Sequence, residues 1–167
     1  VTVGDLTIGH TEYRFRGDTS RVAFTESTFR LATDTNSPSV ARSMVEAYRS
    51  LWPEAEFTVW SRSRASAEAM AQQVAGLKVA DDLEVAVKAA DVICTCTMAT
   101  SPLVKGDWLR PGQHLDLIGA YTPAMREVDD RAMQRARIFV DSRATTLHHI
   151  GELMDPIASG AITESDI

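Results

Sequence analysis

The sequence predicts an α/β fold, with a mostly parallel sheet flanked by helices and a short antiparallel β segment in front of it. Two observations carry this. From about Leu31 onward, short apolar runs of strand length alternate with stretches whose apolar residues recur at helical spacing. Successive strand runs are also separated by those helical stretches, the βαβ crossover that parallel pairing requires. The first 35 residues lack this rhythm.

In chain order, Leu6, Ile8 and His10 alternate with Thr7 and Gly9, and Tyr13 and Phe15 with Arg14 and Arg16. Gly17-Asp18 then reads as a turn, and Val22–Thr25 and Phe29–Thr33 are β-prone. These are expected to form hairpin-like antiparallel strands, although the last run can instead open the following domain. Ala41, Met44, Val45, Tyr48 and Leu51 share one helical face, and Pro53 ends it. Phe57–Trp60 is a buried-strand candidate. Ala67, Met70, Ala71 and Val74 repeat the helical spacing until Gly76, and Leu77–Val79 is a short strand. Asp81 or Asp82 caps a helix carrying Leu83, Ala86, Val87 and Ala90. Val92–Cys96 and His114–Ile118 are further strands, and Asp129 caps a helix with Ala132, Met133 and Ala136. Arg137–Val140 is expected as the last strand, followed by one helix from about Ala144 to Met154.

Composition excludes several classes of function. The chain has 167 residues, 44% of them hydrophobic and 24% charged, which suits a folded domain rather than a disordered segment. Its net charge of −6, with no basic block, is poorly suited to the phosphate contacts that dominate nucleic-acid affinity. Neither a membrane-spanning segment nor a signal peptide is expected, and a cytoplasmic location is the natural reading. Cys94 and Cys96 are the only cysteines and cannot build a disulfide framework. No metal site is expected. The pair reads as buried reduced thiols, and Met98, Met125 and Met133 as packing residues. His148-His149 lacks the i, i+4 spacing of a chelating pair, so a surface histidine beside a partly buried one is expected.

Open parallel sheets bind ligands beyond the carboxyl ends of their strands, so the chemistry is sought there. The first strand-to-helix turn, Thr35 to Ala41, contains no glycine. Asn36, Ser37, Ser39 and Val40 are its candidate phosphate-binding residues, with an Asn/Ser helix cap holding no ligand as the other reading. After the second strand come Ser61, Arg62, Ser63 and Arg64. Arg and Ser there suit the 2′-phosphate of NADP, where an acidic residue would grip the ribose of NAD. Solvated arginines opening a helix are the alternative.

Several motifs then form a recognisable train: Val59-Trp60-Ser61-Arg62, Ala90 to Thr97, Trp108 to His114, Ile118-Gly119-Ala120-Tyr121-Thr122-Pro123, Val140-Asp141-Ser142-Arg143, Gly151-Glu152-Leu153 and Pro156 to Ile162. Together they resemble the ornithine cyclodeaminase and mu-crystallin family over roughly residues 36–167. The resemblance implies a Rossmann-like dinucleotide-binding domain over 31–167. Residues 1–30 form a β-hairpin-like segment that it does not place, open to being a remnant of a substrate and dimerisation domain. It also implies NADP or NAD as cofactor, an amino-acid or cyclic-imine substrate, a homodimer, and hydride exchange of the ketimine-reductase or amino-acid-dehydrogenase kind.

Position by position, the resemblance puts the phosphate turn on Asn36–Ala41 and ribose selection on Ser61 and Arg62. It puts a cofactor-contacting threonine at Thr97 and strand-end contacts at Ile118, Gly119 and Ala120. Tyr121 stands where the family has its catalytic acid, and Met125 where it has a lysine. An unperturbed tyrosine titrates near ~10, too high for a general base at neutral pH. The catalytic residue is therefore left unassigned, and a non-catalytic small-ligand-binding protein that keeps the scaffold is the alternative function.

Overall fold

The computed structural model of the chain describes residues 6–8, 11–13 and 38–167. Strand β1, Leu6–Ile8, pairs antiparallel with β2, Thr11–Tyr13, with Leu6 opposite Tyr13. This is the antiparallel segment expected near the N-terminus. The later runs Val22–Thr25 and Phe29–Thr33, Asn36 and Ser37 lie outside the described residues.

The α/β part opens with helix α1, Pro38–Leu51, which ends just before Pro53. Strand β3, Phe57–Val59, is followed by α2, Arg64–Gln73, and then by β4, Leu77–Val79, which pairs parallel to β3. Ser63 caps α2 by accepting from the Ser66 N–H, and Gly76 turns the chain with φ of 74°. Helix α3, Leu83–Ala89, is capped by Asp82, whose side chain accepts from Val85 N–H at 2.9 Å. Strand β5, Val92–Thr95, pairs parallel with β6, His114–Leu117, through a crossover that carries only a 3₁₀ turn at Gly106–Trp108. Helix α4, Asp130–Arg135, starts at the Asp129 cap.

β3 and β5 are buried along their whole length, as strands covered on both faces are. β5 shows it directly, because alternate residues enter different cores. Val92 and Cys94, with Cys96 just beyond, pack with Ala41, Val45 and Tyr48 of α1 and Phe57 and Val59 of β3. Ile93 enters a second core with Val87, Val104, Val128, Met133 and Leu153. The mixed α/β architecture with parallel pairs and helices on both faces is that of a Rossmann-type domain. Ile93 is fully buried. Ile93→Ala is therefore expected to destabilise the chain by about 2–5 kcal/mol, read as a lower urea midpoint at unchanged slope.

Two expectations fail. Arg137–Val140 forms no ladder, and β6 is the last strand among the described residues, in the β5–β6 pair. Ile138 and Val140 pack against the second core while Phe139 stays 77% exposed, with the Arg137 guanidinium over its ring. Period-two alternation reports which side chains are buried; it does not supply a neighbouring backbone to pair with. The single helix expected from Ala144 to Met154 is instead two, α5 at Arg143–Thr146 and α6 at Gly151–Ala158. The break seats Gly151 against another loop. Its N–H donates to Thr122 C=O at 3.0 Å, and a Cβ there would lie 2.4 Å from the Pro123 carbonyl oxygen.

Candidate functional site

The carboxyl ends of β3, β5 and β6 and the start of α1 carry the expected site residues. At α1, Ser39 and Val40 lie exposed in a first turn that holds no acidic residue. Beyond β3, Ser61 is buried and its hydroxyl oxygen accepts from Ser63 N–H at 3.3 Å. Arg62 is exposed. Arg64, also exposed, is engaged by two carboxylates: Glu68 at 2.7 Å, one turn along α2, and Asp81 after β4. Arg64 would have to leave carboxylate partners before meeting another anion.

The ends of β5 and β6 are held together by a residue that the sequence reading missed. Glu127 is fully buried in the loop after β6. Its carboxylate accepts from Thr95 Oγ1 at 2.7 Å, Thr97 N–H at 2.7 Å and Gly119 N–H at 2.9 Å. Gly119 meets Thr97 so closely that an added Cβ would lie 2.1 Å from the Thr97 carbonyl oxygen. Ile118 and Ala120 beside it are half-buried, and Ile118 N–H continues the pairing to Thr95 C=O at 3.0 Å. The structure therefore brings Thr97 and Ile118–Ala120 into one strand-end unit, with Ser61–Arg64 at the end of the β3–β4 pair.

A second buried carboxylate supports the first. Glu152, on α6, accepts the backbone N–H groups of Glu127 at 2.5 Å and Val128 at 3.0 Å. Burial pushes its carboxyl up to about 7, and the Glu127 charge adds to the rise against the lowering by those two N–H groups. The signal for Glu152 was present, since it stands four residues before buried Pro156 and so shares the apolar face of α6. Glu127 lies in a loop where no periodicity applies.

The other candidates separate clearly. Tyr121 is 65% exposed beyond β6, whereas Met125, which the resemblance sets against the family's lysine, is buried. Cys94 and Cys96 are buried free thiols; burial pushes Cys94 up and Cys96 up to about 12, which leaves them unreactive. Tyr48 donates to Asp116 Oδ2 at 2.9 Å in the same core. Met133 packs as expected, but Met98 is 43% exposed. Both His148 and His149 are exposed, between Leu147 and Ile150, which pack into the second core. An open groove bounded by Met133, Arg137, Phe139 and Ile162 lies elsewhere, and none of the expected cofactor residues lines it. Among the described residues no helix is long and apolar enough to cross a membrane.

The sequence matches the ornithine cyclodeaminase/mu-crystallin family over residues 38–163. The chain belongs to that family. It is 48% identical over 134 residues to the Delta(1)-pyrroline-2-carboxylate reductase of Paracoccus denitrificans, covering 77% of this chain and 42% of the relative. To the ketimine reductase mu-crystallin of Macropus fuliginosus it is 40% identical over 122 residues, covering 72% of this chain and 38% of the relative. The chain thus spans well under half the length of these curated relatives. The fold matches that of Thermococcus litoralis Delta(1)-pyrroline-2-carboxylate reductase, solved with NADH and L-proline, with a TM-score of 0.75 and 23% identity over 85% of this chain and 45% of that one.

Proposed function

We propose that residues 31–167 are the dinucleotide-binding domain of an NAD(P)-dependent reductase of this family, acting on a cyclic imine or amino acid. On this reading residues 1–30 are a remnant of the substrate and dimerisation domain, and the protein works in the cytoplasm as a homodimer. One observation carries the proposal. Thr97 and Ile118–Ala120, the residues that the family resemblance assigns to the cofactor, meet at the carboxyl ends of two parallel strands, joined through Glu127.

The donor set fits a dinucleotide. The start of α1, with Ser39 and no acidic side chain in its first turn, suits a pyrophosphate, and Asn36 and Ser37 precede it in sequence. Ser61 and Arg62 would hold the ribose end, and the backbone of Thr97 and Ile118–Ala120 the nicotinamide end. The bound cofactor supplies hydride transfer. The chain's own residues would bind and orient it, and Tyr121, next in sequence to Ala120, carries an exposed phenol O–H. A hydrogen-bond donor there suits imine reduction better than the base-dependent steps of cyclodeamination. A non-catalytic ligand-binding protein remains the second reading. It is favoured by buried Met125 in place of the family's lysine, which leaves no ammonium at that position.

Cofactor preference follows from the β3 end. NADP is expected to bind better than NAD, because a guanidinium gives the 2′-phosphate charge-assisted hydrogen bonds. Solvent exposure holds the gain to about tenfold for one contact. Arg62→Ala and Arg64→Ala are each expected to lower that preference, and Arg64 must first exchange its contacts with Glu68 and Asp81. Calorimetric titration of NADPH and NADH into the parent and both variants tests this. Equal affinities in the parent, or a ratio untouched by either substitution, would rule it out. If neither cofactor binds, the dinucleotide reading fails.

A further inference from the structure

Among the described residues, Glu127 has three hydrogen-bond donors and no cation. Its partners are the Thr95 hydroxyl and the Thr97 and Gly119 N–H groups, all neutral, and it enters none of the ion pairs found among the described residues. The nearest arginine in sequence, Arg126, is committed elsewhere: it pairs with Asp130, lies 3.8 Å from Asp155 and donates to Val128 C=O at 3.1 Å. Behind Glu127 stands a second buried acid, Glu152. A buried carboxylate without a counter-ion is costly, and such arrangements concentrate at functional sites.

We propose that Glu127 is a fixed anion behind the nicotinamide-facing strand ends, and that it biases this site toward the oxidised, cationic ring over the reduced, neutral one. The inference rests on the cofactor reading above. The two redox forms of the ring differ in charge far more than in shape, so a neutral floor discriminates little between them while a buried anion discriminates by sign. Its field is weakly screened because Thr95, Thr97 and Glu127 are all buried. The Thr95 hydroxyl offsets part of the charge by donating to it. Through Thr97 and Gly119, Glu127 also acts as a positioning residue, but positioning alone does not distinguish the two redox forms.

The test is the ratio of affinities for NADP⁺ and NADPH, with NAD⁺ and NADH as a second pair, titrated by calorimetry into the whole chain at pH 8.5. Glu127→Gln is expected to lower the oxidised-to-reduced affinity ratio on the order of tenfold. Thr95→Val, which keeps the shape and removes the offsetting donor, is expected to raise it by about threefold. General damage to the fold weakens both forms together and does not move the ratio in opposite directions in the two variants. If Glu127→Gln does not fold, Thr95→Val decides alone, and an unchanged or lowered ratio overturns the proposal. A parent that binds cofactor with a ratio untouched in Glu127→Gln overturns this proposal and leaves the cofactor reading standing. A parent that binds no nicotinamide cofactor overturns both.

Discussion

Gly119→Ala is expected to cost about 3 kcal/mol of stability and to abolish cofactor binding, because the new methyl has nowhere to go. Gly119 is not among the glycines with positive φ, so its need for glycine comes from close approach. An added Cβ would lie 2.1 Å from the Thr97 carbonyl oxygen, 2.3 Å from the Thr97 nitrogen and 2.4 Å from Glu127 Oε1. Two of those atoms are backbone at the end of a buried strand and cannot rotate away. Relief requires the end of β6 to withdraw from the end of β5, which breaks the Gly119 N–H bond to Glu127. Gly112→Ala is the control: its φ of 88° costs an alanine about 1–2 kcal/mol, but nothing lies within 4 Å of the added carbon. Urea unfolding with a parallel NADPH titration separates the two. A Gly119→Ala protein as stable as Gly112→Ala would show that the strand ends do not meet as described.

Stability is expected to fall by about 3 kcal/mol as pH rises from about 4.5 to about 7, through Glu152 alone. The sign follows from proton counting. Burial raises the folded-state carboxyl to about 7 from an ordinary 4.5, so between those values the folded chain holds a proton that the unfolded chain has released. Stability then drops with rising pH, and the contribution is level below and above that window. The two N–H bonds from Glu127 and Val128 moderate the rise without cancelling it. Glu152→Gln removes the titration and is expected to flatten the pH dependence across this range. It also turns an amide NH₂ toward one of the two backbone donors, so its stability at pH 5 falls below the parent's. Urea midpoints for both proteins at pH 5, 6, 7 and 8 measure this. Parallel curves for parent and variant would exclude Glu152 as the source.

The two acids connect these expectations. Glu152 holds the backbone of Glu127, and Glu127 holds Thr97 and Gly119, so α6 is tied through the interior to the strand ends. A cofactor seated on those strand ends would therefore feel changes made on α6. This ties the Gly151-Glu152-Leu153 motif physically to the strand ends of β5 and β6.

By itself the sequence determined the elements whose patterns are local. Apolar periodicity placed α1, α2, α3 and the strands at Phe57, Leu77, Val92 and His114, because burial on one helical face or both sheet faces is written in residue spacing. Asp82 and Asp129 were legible as caps for the same reason, their bonds reaching only three residues ahead. The motif train likewise pointed to the family. Only the tertiary structure decided the rest. Arg137–Val140 has strand-like alternation but no pairing edge, and the helix expected after it breaks because Gly151 must fit against the Pro123 loop. Arg62 and Arg64 read alike in sequence, yet only long-range placement brings Asp81 to Arg64. Glu127 left no periodic trace, since its role depends on three donors that lie 8 to 32 residues away and converge only when β5 and β6 pair.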